Sequence, residues 1–537
     1  MDRTQFTPAQ SVAYLWRALN LPEHALESLN LVDNDDDDGG GDNVQQNNNH
    51  QQQQQSSSSF KIAHLAQSCI ALAGLVAATV YSTPSSTLAN PPAAAAAADD
   101  DTNHDDDDKG VKRVPRVTVS SRHALAEFSS ERIYTLNNGP PESSWGRIGG
   151  LYQTAPAPAG TSKDACGYVR IHDAFAKHEN AALALLGIDP ATTPSRQDVA
   201  RQVARWDAVD LETEGIRHGA VIAALRSYQQ WDSHPQARAV ADLPVIVRKL
   251  NNSNNNNTTT TARTTFSDRR KHGDRCLRGL RVLELSRVIA APVAGRTLAA
   301  HGADVLWVTT ASLADQPALD RDLARGKRSV RLDFKEPGGR ATLVSLIRDA
   351  DVLIQSYRPG SLDAYGLGVD DVARINPGIV YASLSAYGNT GPWSQRRGFD
   401  SLVQTCSGMN VSEAEHTSSQ DPARALPCQA LDHASGYFLA TGIMAAVYHQ
   451  LTSNRNTAAA YEVQVSLAGT MKWLRSLGQY PSAVGCANRL DNDLFESRMS
   501  AFGELRAVRH AAQVDGAMPG FDVMPRPLGS DEPRWLA

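Results

Sequence analysis

An α/β fold, with a Rossmann-like large domain and a smaller α+β domain, is predicted by three observations. Short apolar strands alternate with helices between residues 281 and 384. Proline and glycine punctuate the same stretch, as at Pro292 near a helix start and Gly302 just past its end. A separate run, 146–250, carries its own strand and helix signals, and low-complexity insertions divide the chain. The expected layout is a partial large-domain segment at 1–145, a small domain at 146–250, a linker at 251–276, the Rossmann-like domain at 277–480 and a C-terminal tail at 481–537.

Residues 8–31 open with a helical pattern, in which Val12, Leu15, Trp16 and Leu19 recur three and four apart. The Asp, Gly, Asn, Gln and Ser runs of 34–59 cannot bury enough apolar surface to order themselves, and 93–108 and 251–261 are of the same kind. Between the first two tracts, 61–80 reads as a buried helix whose apolar run, 70–80, is too short to span a bilayer. This helix has a second copy. Setting His64 against Asp432 brings Gly74 onto Gly442 and Ala77-Ala78 onto Ala445-Ala446. With 22 extra residues allowed in the first copy, Val117-Thr118-Val119-Ser120 then matches Val463-Gln464-Val465-Ser466. An internal repeat of a helix and a strand is therefore expected, with an acid at the shared position only in the second copy.

In the small domain, 167–171 reads as a strand, 175–186 as a helix ended by Gly187, and 211–231 as one long helix. Ser195 and Asp198 have capping-box spacing, whereas His172, His178, His218 and His234 have no metal-ligand spacing. In the large domain, strands are expected at 281–285, 304–308, 329–332, 351–354 and 379–384. The first leads into Ser286-Arg287-Val288-Ile289-Ala290-Ala291-Pro292 rather than a glycine fingerprint, so a nicotinamide or flavin dinucleotide is not the expected ligand.

The net charge of −6 hides a basic folded part, because 13 aspartates lie in polar runs between residues 33 and 108; without them the balance is +7. That suits an anionic small ligand and lacks the Lys/Arg clustering of a nucleic-acid binder. Six scattered cysteines without close pairs indicate a reducing, cytoplasmic compartment. No secretory signal and no membrane span is expected.

The stretch Ala430-Leu431-Asp432-His433-Ala434-Ser435-Gly436 sets one carboxylate ahead of the apolar run 437–448. Helix capping is the simplest use of such an acid. Upstream of it, in order, stand Arg278-Gly279-Leu280-Arg281-Val282-Leu283-Glu284-Leu285, His301-Gly302-Ala303-Asp304-Val305 and Arg325-Gly326-Lys327-Arg328-Ser329-Val330. Tyr357-Arg358-Pro359-Gly360, Gly388-Asn389-Thr390-Gly391-Pro392 and Gly398-Phe399-Asp400 follow. Together with Asp432 and its helix, this series resembles the family III CoA-transferases, also called the CaiB/BaiF family.

The resemblance implies that Asp432 is a nucleophile that attacks an acyl-CoA thioester, releases CoA thiolate and leaves a mixed anhydride. Returning CoA then makes an aspartyl-CoA thioester, which a second carboxylic acid displaces. It also implies oxyanion donors in the backbone of Val288, Ile289 and Ala290, and CoA contacts from Lys327, Arg328 and Arg358. Asp400, next to Phe399, reads either as a helix-start aspartate or as an electrostatic auxiliary. Coenzyme A is a substrate here, with no further cofactor and no metal. The family's racemase branch carries a proton-transferring histidine where this chain has Phe399, so a transferase is expected over an α-methylacyl-CoA racemase. A catalytically silent CoA-binding scaffold is the reading from another class. The implied partners are an acyl-CoA and a carboxylic acid, with no nucleic acid and no membrane. The fused halves are expected to complement each other within one chain, which leaves open whether two chains also interlock as a homodimer.

Overall fold

The computed structural model describes residues 1–33, 57–84, 113–143, 145–156, 166–250, 265–270, 273–453, 459–485 and 490–536. The tracts at 93–108 and 251–261 and most of 34–59 lie outside them. Seven strands form the main sheet, in the order Lys327–Arg331, Asp304–Thr309, Arg281–Leu285, Val352–Gln355, Val380–Ser385, Tyr461–Ser466 and Val245–Lys249. The first six are parallel and follow the 3-2-1-4-5-6 order of a doubly wound fold, as the α/β class predicts. The seventh is antiparallel, so the end of the 146–250 segment completes the large domain's sheet. Strand order reverses between Arg281–Leu285 and Val352–Gln355, and the loops 286–289 and 356–360 leave the sheet there.

The Ala430–Thr452 helix is buried from Ala430 to Val447 and packs most extensively against two others, Ile62–Ser82 and Ala290–Ala300. A helix enclosed on all sides needs no polar face, which is why neither long helix shows an amphipathic stripe. The Ile62–Ser82 helix is long and apolar enough to cross a membrane, yet protein surrounds it. It is also longer than its apolar run suggested.

The surroundings of the two long helices correspond. Val117–Ser120 pairs parallel with Leu29–Val32 and antiparallel with Ala512–Val514; Tyr461–Ser466 pairs parallel with Val380–Ser385 and antiparallel with Val245–Lys249. A Cβ on Gly74 would meet Val117 and Ala512, while one on Gly442 would meet Val463 and Val245. Ser120 and Ser466 each cap the helix that follows, accepting from His123 N and Gly469 N.

The smaller sheet, Gly150–Gln153, Tyr168–Ile171 and Ile222–Ala224, is antiparallel and carries its own apolar cluster. The single helix expected over 211–231 is instead the helix Ala208–His218, the strand Ile222–Ala224 and the helix Tyr228–Ser233. Gly219, at φ 79°, ends the first, and a buried Ile222-Ala223-Ala224 run too short to show a period makes the strand. One further expectation needs correcting. Ser57–Phe60, at the end of the low-complexity tract, is a strand paired with Gln479–Gly485. The tail is structured: Ala512–Val514 closes one sheet, and Asp531 accepts from Ser329 N beside the exposed edge of the main sheet.

Candidate active site

Asp432 lies in the first turn of the Ala430–Thr452 helix and is 7% exposed. It does not cap that helix. The Asp400 carboxylate does so from the start of the Asp400–Cys406 helix, accepting Leu431 N at 2.8 Å and Asp432 N at 3.0 Å through Oδ2. Gln404 Nε2 donates to its other oxygen. The Asp432 carboxylate is left with no hydrogen-bond or ion-pair partner among the described residues. Burial raises its pKa well above the usual carboxylate range, and the Asp400 and Glu131 charges raise it further. Burial also raises Asp400, but the N–H groups of Asp432 and Leu431 and the Gln404 amide oppose that shift. Of the two acids, Asp400 is therefore the more readily ionised.

The end of the loop expected to supply oxyanion donors packs against the same helix. Gly436 is one turn beyond Asp432 on the same helix face, and a Cβ there would lie 2.5 Å from the Ala290 carbonyl oxygen and 2.6 Å from Val293. Only glycine lets the helix come this close. Val288 sits at φ 70°, a left-handed conformation that costs a β-branched residue on the order of 1–3 kcal/mol. Ile289 follows as the N-cap of Ala290–Ala300, so the strained residue turns the chain from strand to helix. We expect Gly436→Ala to push the loop away, costing about 1–3 kcal/mol of stability and lowering turnover more than tight binding of CoA. Paired melting and kinetic measurements would separate the two effects.

The cationic residues named from the sequence divide. Lys327 is fully enclosed: its ammonium donates to Glu284 at 2.9 Å and to the Pro292 carbonyl at 2.8 Å, so it supports the loop's helix from behind. Arg328 forks onto Asp304 at 2.8–3.0 Å and donates to the Arg534 carbonyl. The structure brings neither guanidinium nor ammonium to Asp432. Arg358 is exposed and makes one bond, to the Gln395 carbonyl at 3.3 Å. Arg287 and Arg397 lie in the same region, since both depress the His178 pKa and Arg358 depresses that of Arg397. None of Arg287, Arg358 and Arg397 has a carboxylate partner among the described residues. Ser286, Arg287, Val288 and Tyr357 line a cleft at the switch point of the sheet, closed to about 20 Å³, with Leu528 of the tail against it.

Phe399 stacks on His172, with ring centroids 3.9 Å apart and planes within 2°. His433 turns from solvent to Glu131, its Nε2 2.8 Å from the carboxylate, and both are buried. Sequence reasoning passed over Glu131, His172, Arg287 and Arg397. Arg287 alone had a visible signal, its place directly after the first strand; Glu131 and His172 reach the site from segments far away in the chain. Among the described residues, no three His, Cys, Asp or Glu side chains gather as metal ligands.

Residues 277–490 match the model for "CoA-transferase family III". This segment is similar to that family. Similar proteins include an acyl-CoA transferase from Fusarium pseudograminearum, 32% identical over 39% of this chain and 51% of its own length. A succinate–glutarate CoA-transferase from Agrobacterium fabrum is 34% identical over 40% of this chain and 58% of its own. A CAIB/BAIF family protein from Brucella suis, known by crystal structure, is 25% identical over 43% of this chain and 65% of that one, with a TM-score of 0.34. The chain spans about half the length of the curated relatives it matches. The family III segment holds Asp400, Asp432, the 288–290 loop and Arg358, whereas Glu131 and His172 lie outside it.

Proposed function

We propose that the chain is a CoA-transferase in which Asp432 attacks an acyl-CoA thioester, forming first a mixed anhydride and then an aspartyl-CoA thioester. One observation carries this reading: Asp432 stands at a helix mouth without donors, because Asp400 already accepts the helix N–H groups. An ionised carboxylate with no hydrogen bond to give up is a better nucleophile than a capping one. The backbone at Val288, Ile289 and Ala290 is the donor set for the oxyanion of each tetrahedral step, where a well-placed donor contributes roughly 3 kcal/mol. Arg358, Arg287 and Arg397 form the cationic approach for the CoA phosphates. Lys327 and Arg328 act as internal struts. The matched strand pairings around the two long helices support the reading of 1–145 as a partial first copy whose acid position is His64, which hydrogen-bonds Ser11 at 2.8 Å.

Incubation with acyl-CoA and hydroxylamine is expected to leave a hydroxamate on Asp432, detected by mass spectrometry. CoA binding with no adduct across a thioester panel would favour the scaffold. Substituting Arg358 and Arg397 by alanine is expected to raise KM for the acyl-CoA by roughly tenfold with kcat little changed, the pattern of lost uniform binding. A racemase reading regains some ground from His172, which supplies an imidazole beside Phe399 and is kept neutral by burial, its pKa lowered to about 3. Deuterium exchange at the α-carbon of a branched acyl-CoA tests it.

A further inference from the structure

The turn that carries Val288, Ile289 and Ala290 is held at both ends by one buried ion pair. At its entry, Ser286 Oγ donates to Glu284 Oε1 at 2.5 Å, and the Ser286 carbonyl accepts Trp307 Nε1 at 3.0 Å. At its exit, Lys327 Nζ donates to the Pro292 carbonyl at 2.8 Å and to the same Glu284 oxygen at 2.9 Å. Lys327 reaches Glu284 across the intervening strand, with its ammonium 4.6 Å from the centre of the Trp307 ring. Both side chains are fully enclosed. A Cβ on Gly295 would overlap Glu284 Oε2 and lie 3.1 Å from Lys327 Nζ, so the Ala290–Ala300 helix settles onto the pair only because glycine stands there.

Stability alone does not call for this arrangement. Burial raises the Glu284 pKa and lowers that of Lys327, and Glu284 Oε2 has no hydrogen-bond partner among the described residues. A well-packed apolar pair of similar volume commonly holds a fold as well or better. What the ion pair adds is direction, because its hydrogen bonds fix Ser286 and Pro292 relative to each other. Between those two residues stands Val288 at φ 70°, a conformation that persists only where its surroundings over-determine it. We propose that Glu284 and Lys327 are positioning residues for CoA transfer, clamping the Val288 turn so that the backbone from Val288 to Ala290 is preorganised for the oxyanion. The effect on turnover rests on the transferase reading; the effect on the loop rests on the clamp's geometry alone.

The double variant Glu284→Leu/Lys327→Met, made in the whole chain, separates holding from folding, since it removes both charges together and both ends of the clamp. Its melting is expected to stay close to that of the unsubstituted protein. Its kcat is expected to fall by roughly ten- to a hundredfold, while KM for the acyl-CoA changes by less than about threefold, because Arg358 and Arg397 do not hang from the clamp. Amide hydrogen exchange over 287–291 is expected to quicken by about tenfold or more. Ser286→Ala leaves the ion pair intact and frees only the entry, so a severalfold loss of kcat with unchanged melting is expected there, and this variant decides the matter if the double one fails to fold. An undiminished kcat in the folded variant overturns the proposal. If the unsubstituted protein transfers CoA to no acid in a panel, the transferase reading falls and exchange decides the clamp: faster exchange over 287–291 keeps it, and unchanged exchange removes it.

Discussion

Asp432→Asn is expected to lower CoA transfer by roughly 10⁴-fold, the scale on which loss of a nucleophile is felt, and at the same time to stabilise the fold. The amide cannot form the anhydride, so the loss falls on kcat with acyl-CoA binding retained. The stability gain follows from the raised pKa. A carboxyl group whose folded pKa lies above its unfolded value favours the fold fully below the ordinary carboxylate range, and that contribution disappears as pH rises through the folded pKa. At alkaline pH the native protein must therefore hold a buried, donorless charge beside Asp400 and Glu131, or a proton taken up at a cost. Asparagine has neither burden. We expect a gain of about 1–2 kcal/mol near pH 8, shrinking to nothing as pH falls to the unfolded carboxylate range. Melting curves of both proteins across that window measure it. A variant that is inactive and no more stable at any pH would mean that Asp432 is an ordinary satisfied residue.

Much of this site could be read from the sequence because the family III segment carries its motifs in order along one stretch. The six parallel strands, the 288–290 loop and Asp432 all lie within 281–466; alternation of apolar strands with glycine-ended helices predicts the α/β class, and the resemblance alone singles out the loop and Asp432. Three kinds of feature were not legible. The partner of a charge was one: Lys327 and Arg328 look like ligand contacts in a basic motif, but Asp304 meets Arg328 from the adjacent strand and Glu284 meets Lys327 from the strand beyond it. Long-range placement was another, since Glu131 and His172 reach the site only through tertiary packing, over sequence separations of 302 for Glu131–His433 and 227 for His172–Phe399. The third was which of two acids caps a helix. Asp432 has the right position in sequence for capping, yet the cap comes from Asp400 on another element, and local spacing holds no information about that.

The division of labour between the two acids predicts opposite signs for matched substitutions. Asp400→Asn keeps one acceptor for the N–H groups of Leu431 and Asp432 but turns an amide toward Gln404 Nε2. Gln404 cannot answer by flipping, because its Oε1 already accepts from Asn410 Nδ2 and Leu426 N. Two donors then oppose each other in a buried place, at a cost of roughly 1–3 kcal/mol. Relief of the Asp400–Asp432 repulsion offsets part of this, so a net loss of about 1–2 kcal/mol is expected at pH 8. Activity should fall by roughly ten- to a hundredfold, since Leu426 and Pro427 shift with Gln404 and the helix mouth loses its fixed angle. With the Asp400 charge gone, Asp432 ionises more readily, and the acid limb of the kcat profile should move to lower pH. Asp432→Asn thus stabilises and abolishes, while Asp400→Asn destabilises, impairs and shifts the profile. If Asp432 were the cap and Asp400 the reactive acid, the two signs in stability would be exchanged, and the same pair of melting curves would show it.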